Sequence, residues 1–218
     1  MNEILWALDR LEFELDGERW MLAPEVTIVN GITLFRGSSQ RLRTRLLEVL
    51  AGLEPPAGGR INWLGRPLMG RALQQFRRQR TYVPSTLFHE RHLSVEALLD
   101  AVALLWQVQQ PQQVIARELD RWGLTAKRKC SLARLSGGEQ RRVQLAMSLV
   151  PNPKYWMVDQ LYLRLDSDAQ SIIAHLASQV GRQGRLEAII ATGIDGVSPF
   201  GCGAEVDLGA MVVGRKDI

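Results

Sequence analysis

Apolar and acidic residues alternate over Leu11-Glu12-Phe13-Glu14-Leu15, the pattern of a strand with one face in water, and Asp16-Gly17 behind it is a hairpin turn pair. Short β-rich runs follow at Trp20 to Leu22, Val26 to Val29 and Ile32 to Phe35, with Asn30-Gly31 as a further turn. The period then changes. Leu46, Val49, Leu50 and Leu53 stand at i, i+3, i+4 and i+7, one face of an amphipathic helix that stops at Gly52 and Pro55-Pro56. Ala57-Gly58-Gly59 predicts a tight turn, and Arg60 to Trp63 and Arg80 to Val83 predict strands. Ser94 to Trp106 and Pro111 to Trp122 predict helices joined by a Gln-rich loop, and Val143, Ala146, Met147 and Val150 share one face of another helix. Tyr155 to Val158, closed by Asp159, and Ala188 to Ala191 are short apolar strands. Strands alternating with helices predict an α/β fold with a largely parallel sheet. Neither an internal repeat nor a linker divides the chain, so residues 1–218 are expected to form one domain.

With 46% hydrophobic and 23% charged residues, the 218-residue chain has material for a sizeable core, which excludes disorder as its main state. No run approaches the roughly 18 apolar residues of a membrane helix; the best candidate, Val95 to Trp106, contains Glu96 and Asp100. No basic flank leads from Met1 into an apolar run, so no signal peptide is expected. Cys130 and Cys202 make no disulfide framework, which predicts a reducing compartment, and they do not combine with His89, His92 or His175 at metal-ligand spacing. The net charge of +4 is mild. The basic cluster Arg77-Arg78-Gln79-Arg80 reads as a solvated face, and no nucleic-acid partner is expected. The six tryptophans are spread evenly and are expected to pack the core or a docking groove.

The chemistry concentrates at Leu135-Ser136-Gly137-Gly138-Glu139-Gln140-Arg141-Arg142-Val143. Ser136 is a good N-cap, and Glu139 three residues on completes a capping box. Gly137 and Gly138 leave backbone N–H groups uncovered at a helix N-terminus whose dipole favours an anion, which makes a phosphate-reading surface. This segment resembles the signature motif of the ATP-binding cassette (ABC) ATPases, and other landmarks of that family fall in order over nearly the whole chain. Asp159 follows an apolar strand as the Walker B aspartate does, Ala51-Gly52-Leu53 resembles the stretch after the family's first helix, Tyr82-Val83-Pro84 the approach to its Q-loop, and Leu165-Asp166 the end of its D-loop. The resemblance implies a P-loop NTPase-type, largely parallel sheet with an N-terminal antiparallel β subdomain and an ABC-type α-helical subdomain at about residues 93–135. It implies ATP and Mg²⁺ as cofactors.

At those landmarks the residues depart from the family pattern. The phosphate loop should read Gly, four residues, Gly, Lys, then Ser or Thr; the chain has Gly37-Ser38-Ser39-Gln40-Arg41-Leu42-Arg43-Thr44. Leu42 puts a Cβ where glycine lets backbone approach phosphate, and Arg43 keeps the lysine's charge on a long planar fork. Arg41, Arg43 and Arg45 read either as a phosphate patch or as a solvated helix start. Thr44 and Asp159 remain as candidate Mg²⁺ ligands. Gln160 stands where the family's catalytic glutamate would act as general base and cannot take a proton; losing a positioned base costs about 10²–10⁴ in rate. Ser85 occupies the Q-loop glutamine position, Gly193 the switch histidine position and Leu15 the adenine-stacking position, for which Trp6 and Trp20 are possible substitutes.

ABC cassettes work as head-to-tail dimers, each ATP lying between one subunit's phosphate loop and the other's signature. A chain with Ser136 to Glu139 intact and its loop altered is therefore expected to serve a second, active cassette, on the cytoplasmic face of a membrane and docked on integral membrane subunits. The groove of the helical segment from Leu93 to Leu124 is the expected docking face. Two alternatives stay open: a slow homodimeric ATPase in which Arg43 does the lysine's work, and a soluble regulatory or scaffold pseudo-ATPase.

Overall fold

The fold is that of a computed structural model, described for residues 3–22, 25–37, 39–87, 92–181, 186–193 and 204–208. It begins with an antiparallel sheet. Strand β1 (Ile4–Leu15) turns at Asp16 and Gly17, both left-handed (φ 56° and 78°) as a type I′ hairpin requires, into β2 (Glu18–Met21). Strand β1 also pairs with β3 (Glu25–Val29) and β5 (Gly58–Trp63), and β5 with the short β6 (Arg66–Pro67). Trp6 and Leu8 are buried on even positions of β1, Leu11 and Phe13 on odd ones. The phase changes at Arg10, where φ is 47° and the register against β5 shifts: one extra residue is bulged out so that both halves of the strand keep their apolar side inward. Gly58 and Gly59 lie in β5 and not in a tight turn of their own. A Cβ on Gly59 would stand 2.2 Å from the Arg10 carbonyl oxygen, so glycine is there for the close approach of the bulge.

The second sheet is parallel. Its order is β10 (Ala204–Asp207), β4 (Gly31–Arg36), β9 (Ala188–Thr192), β8 (Tyr155–Val158), β7 (Arg80–Val83). Every residue of β8 and β9 is buried, as in a sheet covered on both faces. Because side chains alternate along a strand, Tyr155, Met157, Ala188 and Ile190 point to one face, while Trp156, Val158, Ile189 and Ala191 point to the other. The first set joins the antiparallel sheet, helix α1 (Gln40–Leu50) and Phe76 of α2 (Gly70–Arg77) in one core. The second joins α3 (Val95–Leu105), α4 (Pro111–Arg121), α5 (Gly137–Leu149) and α6 (Ser167–Ser178) in another. The indole N–H of buried Trp156 donates to Ser148 Oγ at 2.8 Å, tying α5 to the sheet. No helix among the described residues is long and apolar enough to cross a membrane.

The basic cluster is not a free cationic face. Arg77 donates to the Gly52 carbonyl and Arg80 Nε to the Ala51 carbonyl at 2.9 Å, so both satisfy the C-terminal end of α1. Four tryptophans (Trp6, Trp63, Trp122, Trp156) are buried; Trp106 at the end of α3 remains 38% exposed beside the exposed Leu104 and Leu105. Trp6 stacks edge-on to Phe76 and Tyr155 with ring centroids 5.6 and 5.0 Å apart, and so joins the antiparallel sheet to α2 and the parallel sheet. Trp6→Ala should lower the unfolding free energy by about 3–5 kcal/mol in a urea titration; a loss below about 1 kcal/mol would contradict this role.

Candidate functional site

In a parallel sheet the chain leaves every strand on the same side, so groups past the carboxyl ends of neighbouring strands are gathered along one edge. The order β4-β9-β8-β7 thereby lines up Gly37, Gly193, Asp159 and Pro84. Asp159 is fully buried. Its carboxylate accepts the Thr44 hydroxyl at 3.0 and 2.9 Å and the Thr192 hydroxyl at 2.6 Å. Thr192 Oγ1 in turn accepts the Gln160 N–H at 2.8 Å. Thr44 and Asp159 are thus brought together, and each is the other's partner. Their oxygens suit Mg²⁺ chemically, although the described residues contain no group of three His, Cys, Asp or Glu able to hold a metal.

The phosphate-loop segment is shorter than its eight-residue pattern implies. Helix α1 already begins at Gln40, with Ser39 as N-cap: its hydroxyl accepts the Leu42 N–H at 3.2 Å and its carbonyl accepts the Arg43 N–H at 3.2 Å. Starting the helix there turns Leu42 into the core, where it is 1% exposed. Arg43 is nearly buried and its Nη1 donates to the Gly37 carbonyl at 2.7 Å, so its guanidinium folds back across the turn. Ser38 lies outside the described residues, as do His89 and Cys202. Arg41 pairs with Asp16, and Arg45 donates to the Glu14 carbonyl at 2.9 Å and pairs with Glu48 and Glu54, so these three arginines do not form an uncommitted phosphate patch.

A cleft of about 390 Å³ opens between the β1–β2 hairpin and α1, with Leu15, Gln40, Thr44 and Ser85 on its walls. Three carboxylates, Glu14, Asp16 and Glu48, line the same space. Burial raises the Glu48 carboxyl above its ordinary range, against the lowering influence of Arg45. Leu15 lines the cleft. Trp6 cannot substitute, being fully buried in the aromatic cluster, and Trp20, half-buried against the same core, is not among the cleft residues. Gly193 follows β9 with its N–H toward the Phe35 carbonyl at 3.3 Å; a Cβ there would stand 3.0 Å from a Leu34 methyl. Gln160 is left-handed (φ 51°) and half-buried.

The capping box expected at Ser136 and Glu139 is present at the start of α5. Ser136 Oγ accepts the Glu139 N–H at 3.2 Å, and Glu139 Oε2 accepts the Ser136 N–H at 2.8 Å. The Ser136 N–H, and next the Lys127 ammonium at 3.0 Å, hold the Glu139 carboxyl below its usual range. Gly137 faces Arg164, whose Nη1 lies 2.8 Å from where a Cβ would be; Arg164 is exposed and forms no ion pair among the described residues. Sequence reasoning missed Arg164, Thr192 as a partner of Asp159, and Arg141, whose buried guanidinium reaches the end of β8. An arginine inside the buried half of a helix was the available signal for the last.

These features, a strand–turn–helix at Gly37 to Thr44, a buried aspartate after an adjacent strand and a capped double-glycine helix, define a P-loop-type cassette. The chain belongs to the ABC transporter family, whose model matches residues 34–161, more than half of its length. It is similar to the methionine import ATP-binding protein MetN of Lacticaseibacillus paracasei, 27% identical over 75% of this chain and 47% of that protein, and to MetN 2 of Yersinia pestis bv. Antiqua, 31% identical over 72% and 49%. The chain therefore spans about half the length of these curated relatives. Among solved structures, a putative ABC transporter ATP-binding protein from Pyrococcus furiosus superposes with a TM-score of 0.76 at 22% identity, covering 95% of this chain and 99% of that one. CbiO1 from Clostridium perfringens, part of the cbiONQ transporter complex, superposes at 0.69 with 18% identity, covering 88% and 79%. Both share the fold.

Replacing the Thr192 hydroxyl tests the buried cluster. Thr192→Val should cost about 1–3 kcal/mol of stability, because one Asp159 oxygen and the Gln160 N–H lose a partner. A denaturant midpoint indistinguishable from that of the native chain would show the hydroxyl to be dispensable.

Proposed function

We propose that this chain is the nucleotide-binding subunit of an ABC transporter complex, that its own phosphate loop is not hydrolytic, and that its signature completes the ATP site of a second, active cassette. The carrying observation is the contrast between the two halves of the site. The capping box and double glycine at Ser136 to Glu139 are in place, whereas the first turn of α1 occupies the loop and Arg43 is spent on the Gly37 carbonyl. A triphosphate needs a ring of uncommitted N–H groups and an available cation. The Leu42 and Arg43 N–H groups are bonded to Ser39, and the two arginines that line the cleft, Arg41 and Arg45, are paired with Asp16 and Glu48. The loop in this form does not fit a triphosphate, and no hydrolytic step is assigned to it. Gln160 adds no base.

The family uses ATP with Mg²⁺ and works with membrane subunits, so the complex is expected at the cytoplasmic face of a membrane, docked through the helical segment 93–124. Cargo is selected by other subunits; methionine, named for the MetN relatives, is the first cargo to assay. The charge retained at Arg43 favours one second reading, the slow homodimeric ATPase, which requires turnover by the chain alone that is lost in Arg43→Ala.

Extraction of the chain from native membranes in mild detergent should bring with it a membrane protein and a cassette carrying Gly-Lys-Ser/Thr and a catalytic glutamate. Ser136→Arg in this chain should then reduce the complex's MgATP hydrolysis to background. Unchanged hydrolysis would refute use of the signature, and recovery of the chain alone and soluble would favour a regulatory or scaffold pseudo-ATPase. Gln160→Glu in the isolated chain should restore no turnover, since the base would face a loop that holds no phosphate; measurable turnover would contradict the account of the loop.

A further inference from the structure

Arg141 lies in the second turn of α5, five residues past the signature serine, and its side chain is completely buried. Among the described residues it hydrogen-bonds to no carboxylate. Nη1 donates to the Pro84 carbonyl at 2.5 Å and to Gln144 Oε1 at 3.1 Å; Nη2 donates to the carbonyls of Asp159 at 2.7 Å and Gln160 at 3.0 Å. Nε has no partner. Burial pulls the guanidinium down to about 10, with the nearby Asp159 charge opposing that fall. Gln144, one turn further on and also buried, donates Nε2 to the Thr86 carbonyl at 2.6 Å. Two side chains of one helix therefore hold Pro84 and Thr86, on either side of Ser85, and also the residues that leave β8.

Burying a cation against neutral acceptors is unfavourable, and packing alone would be served by an apolar side chain. The arrangement uses the planar fork: two nitrogens reach acceptors on two different strand ends, which a lysine ammonium cannot span. At the positions where the family places its glutamine and histidine sensors this chain has Ser85 and Gly193. The Arg141–Gln144 pair is a direct side-chain connection from the signature helix to the segment around Ser85.

We propose that Arg141, with Gln144, is a positioning pair that carries movement of the signature helix to Pro84–Thr86 when the partner cassette's nucleotide seats on Ser136–Gly138. The inference rests on the signature role proposed above. A displacement of α5 relative to the sheet must draw the two carbonyls with it or break short hydrogen bonds in a buried setting.

Hydrogen–deuterium exchange on the purified complex, with and without MgATP plus vanadate, tests this. In the native complex both 136–140 and 84–87 should change exchange on adding nucleotide. In Arg141→Lys the change at 136–140 should persist while that at 84–87 is lost. Should Arg141→Lys fail to fold, Gln144→Ala, which leaves most of the arginine's bonds, should weaken the response at 84–87 alone. A native-sized response at 84–87 in the variants overturns the relay and leaves the proposed function standing, as does a native complex that responds only at 136–140. No response at 136–140 in the native complex defeats both.

Discussion

The first N–H groups of a helix have no acceptor within the helix, so a side chain that supplies one favours a start at that point, and much of the site follows from where α1 begins. Ser39 supplies an acceptor to Leu42, so the helix starts at Gln40. The Leu42 side chain then falls on the core face with Leu46 and Val49, and the backbone that would curl around a phosphate becomes helical. Arg43, next on the helix, has its shortest course back to the Gly37 carbonyl. Glycine in place of Leu42 would remove the apolar group that anchors this first turn in the core.

Charge in the cleft is arranged to the same effect. Anion sites in cassettes of this type depend on cations and N–H groups left without internal partners. Here Arg41 is matched by Asp16, and Arg45 by Glu48 and Glu54, while the buried carboxylate of Asp159 is satisfied by two threonine hydroxyls. The signature end is built in the opposite sense. Its carboxylates are answered, Glu139 by Lys127 and Asp166 by Arg142, and Arg164 beside Gly137 is left without an ion-pair partner among the described residues. The proposed division of labour, with phosphate read at the capped double-glycine end and not at the start of α1, rests on this difference in pairing.

The sequence pattern makes the parallel sheet legible where apolar runs are short and sharply bounded: β7 and β8 have the limits the pattern predicts, and β9 extends one residue further to Thr192. Helix α2 is not legible because only Phe76 is buried on it, so it carries no repeating stripe. Helix α6 does carry one (Ala169, Ile173, Leu176 and Ala177, capped by Asp166), which the resemblance of Leu165-Asp166 to a loop end obscures. Gly58-Gly59 reads as a turn because local sequence cannot reveal that a distant bulge at Arg10 needs the space. At the site, the capping box can be read from Ser136 and Glu139 alone, since both partners are local. The Thr44–Asp159–Thr192 cluster and the Arg141 contacts join residues far apart in sequence and emerge only from the strand order.

The most direct measurement is calorimetric titration of the isolated, folded chain with MgATP. The account predicts no saturable binding up to about 1 mM nucleotide, because the loop's N–H groups and arginine are committed internally. Saturable binding with a micromolar dissociation constant, abolished by Arg43→Ala, would show that Arg43 releases Gly37 to take phosphate and would contradict the account.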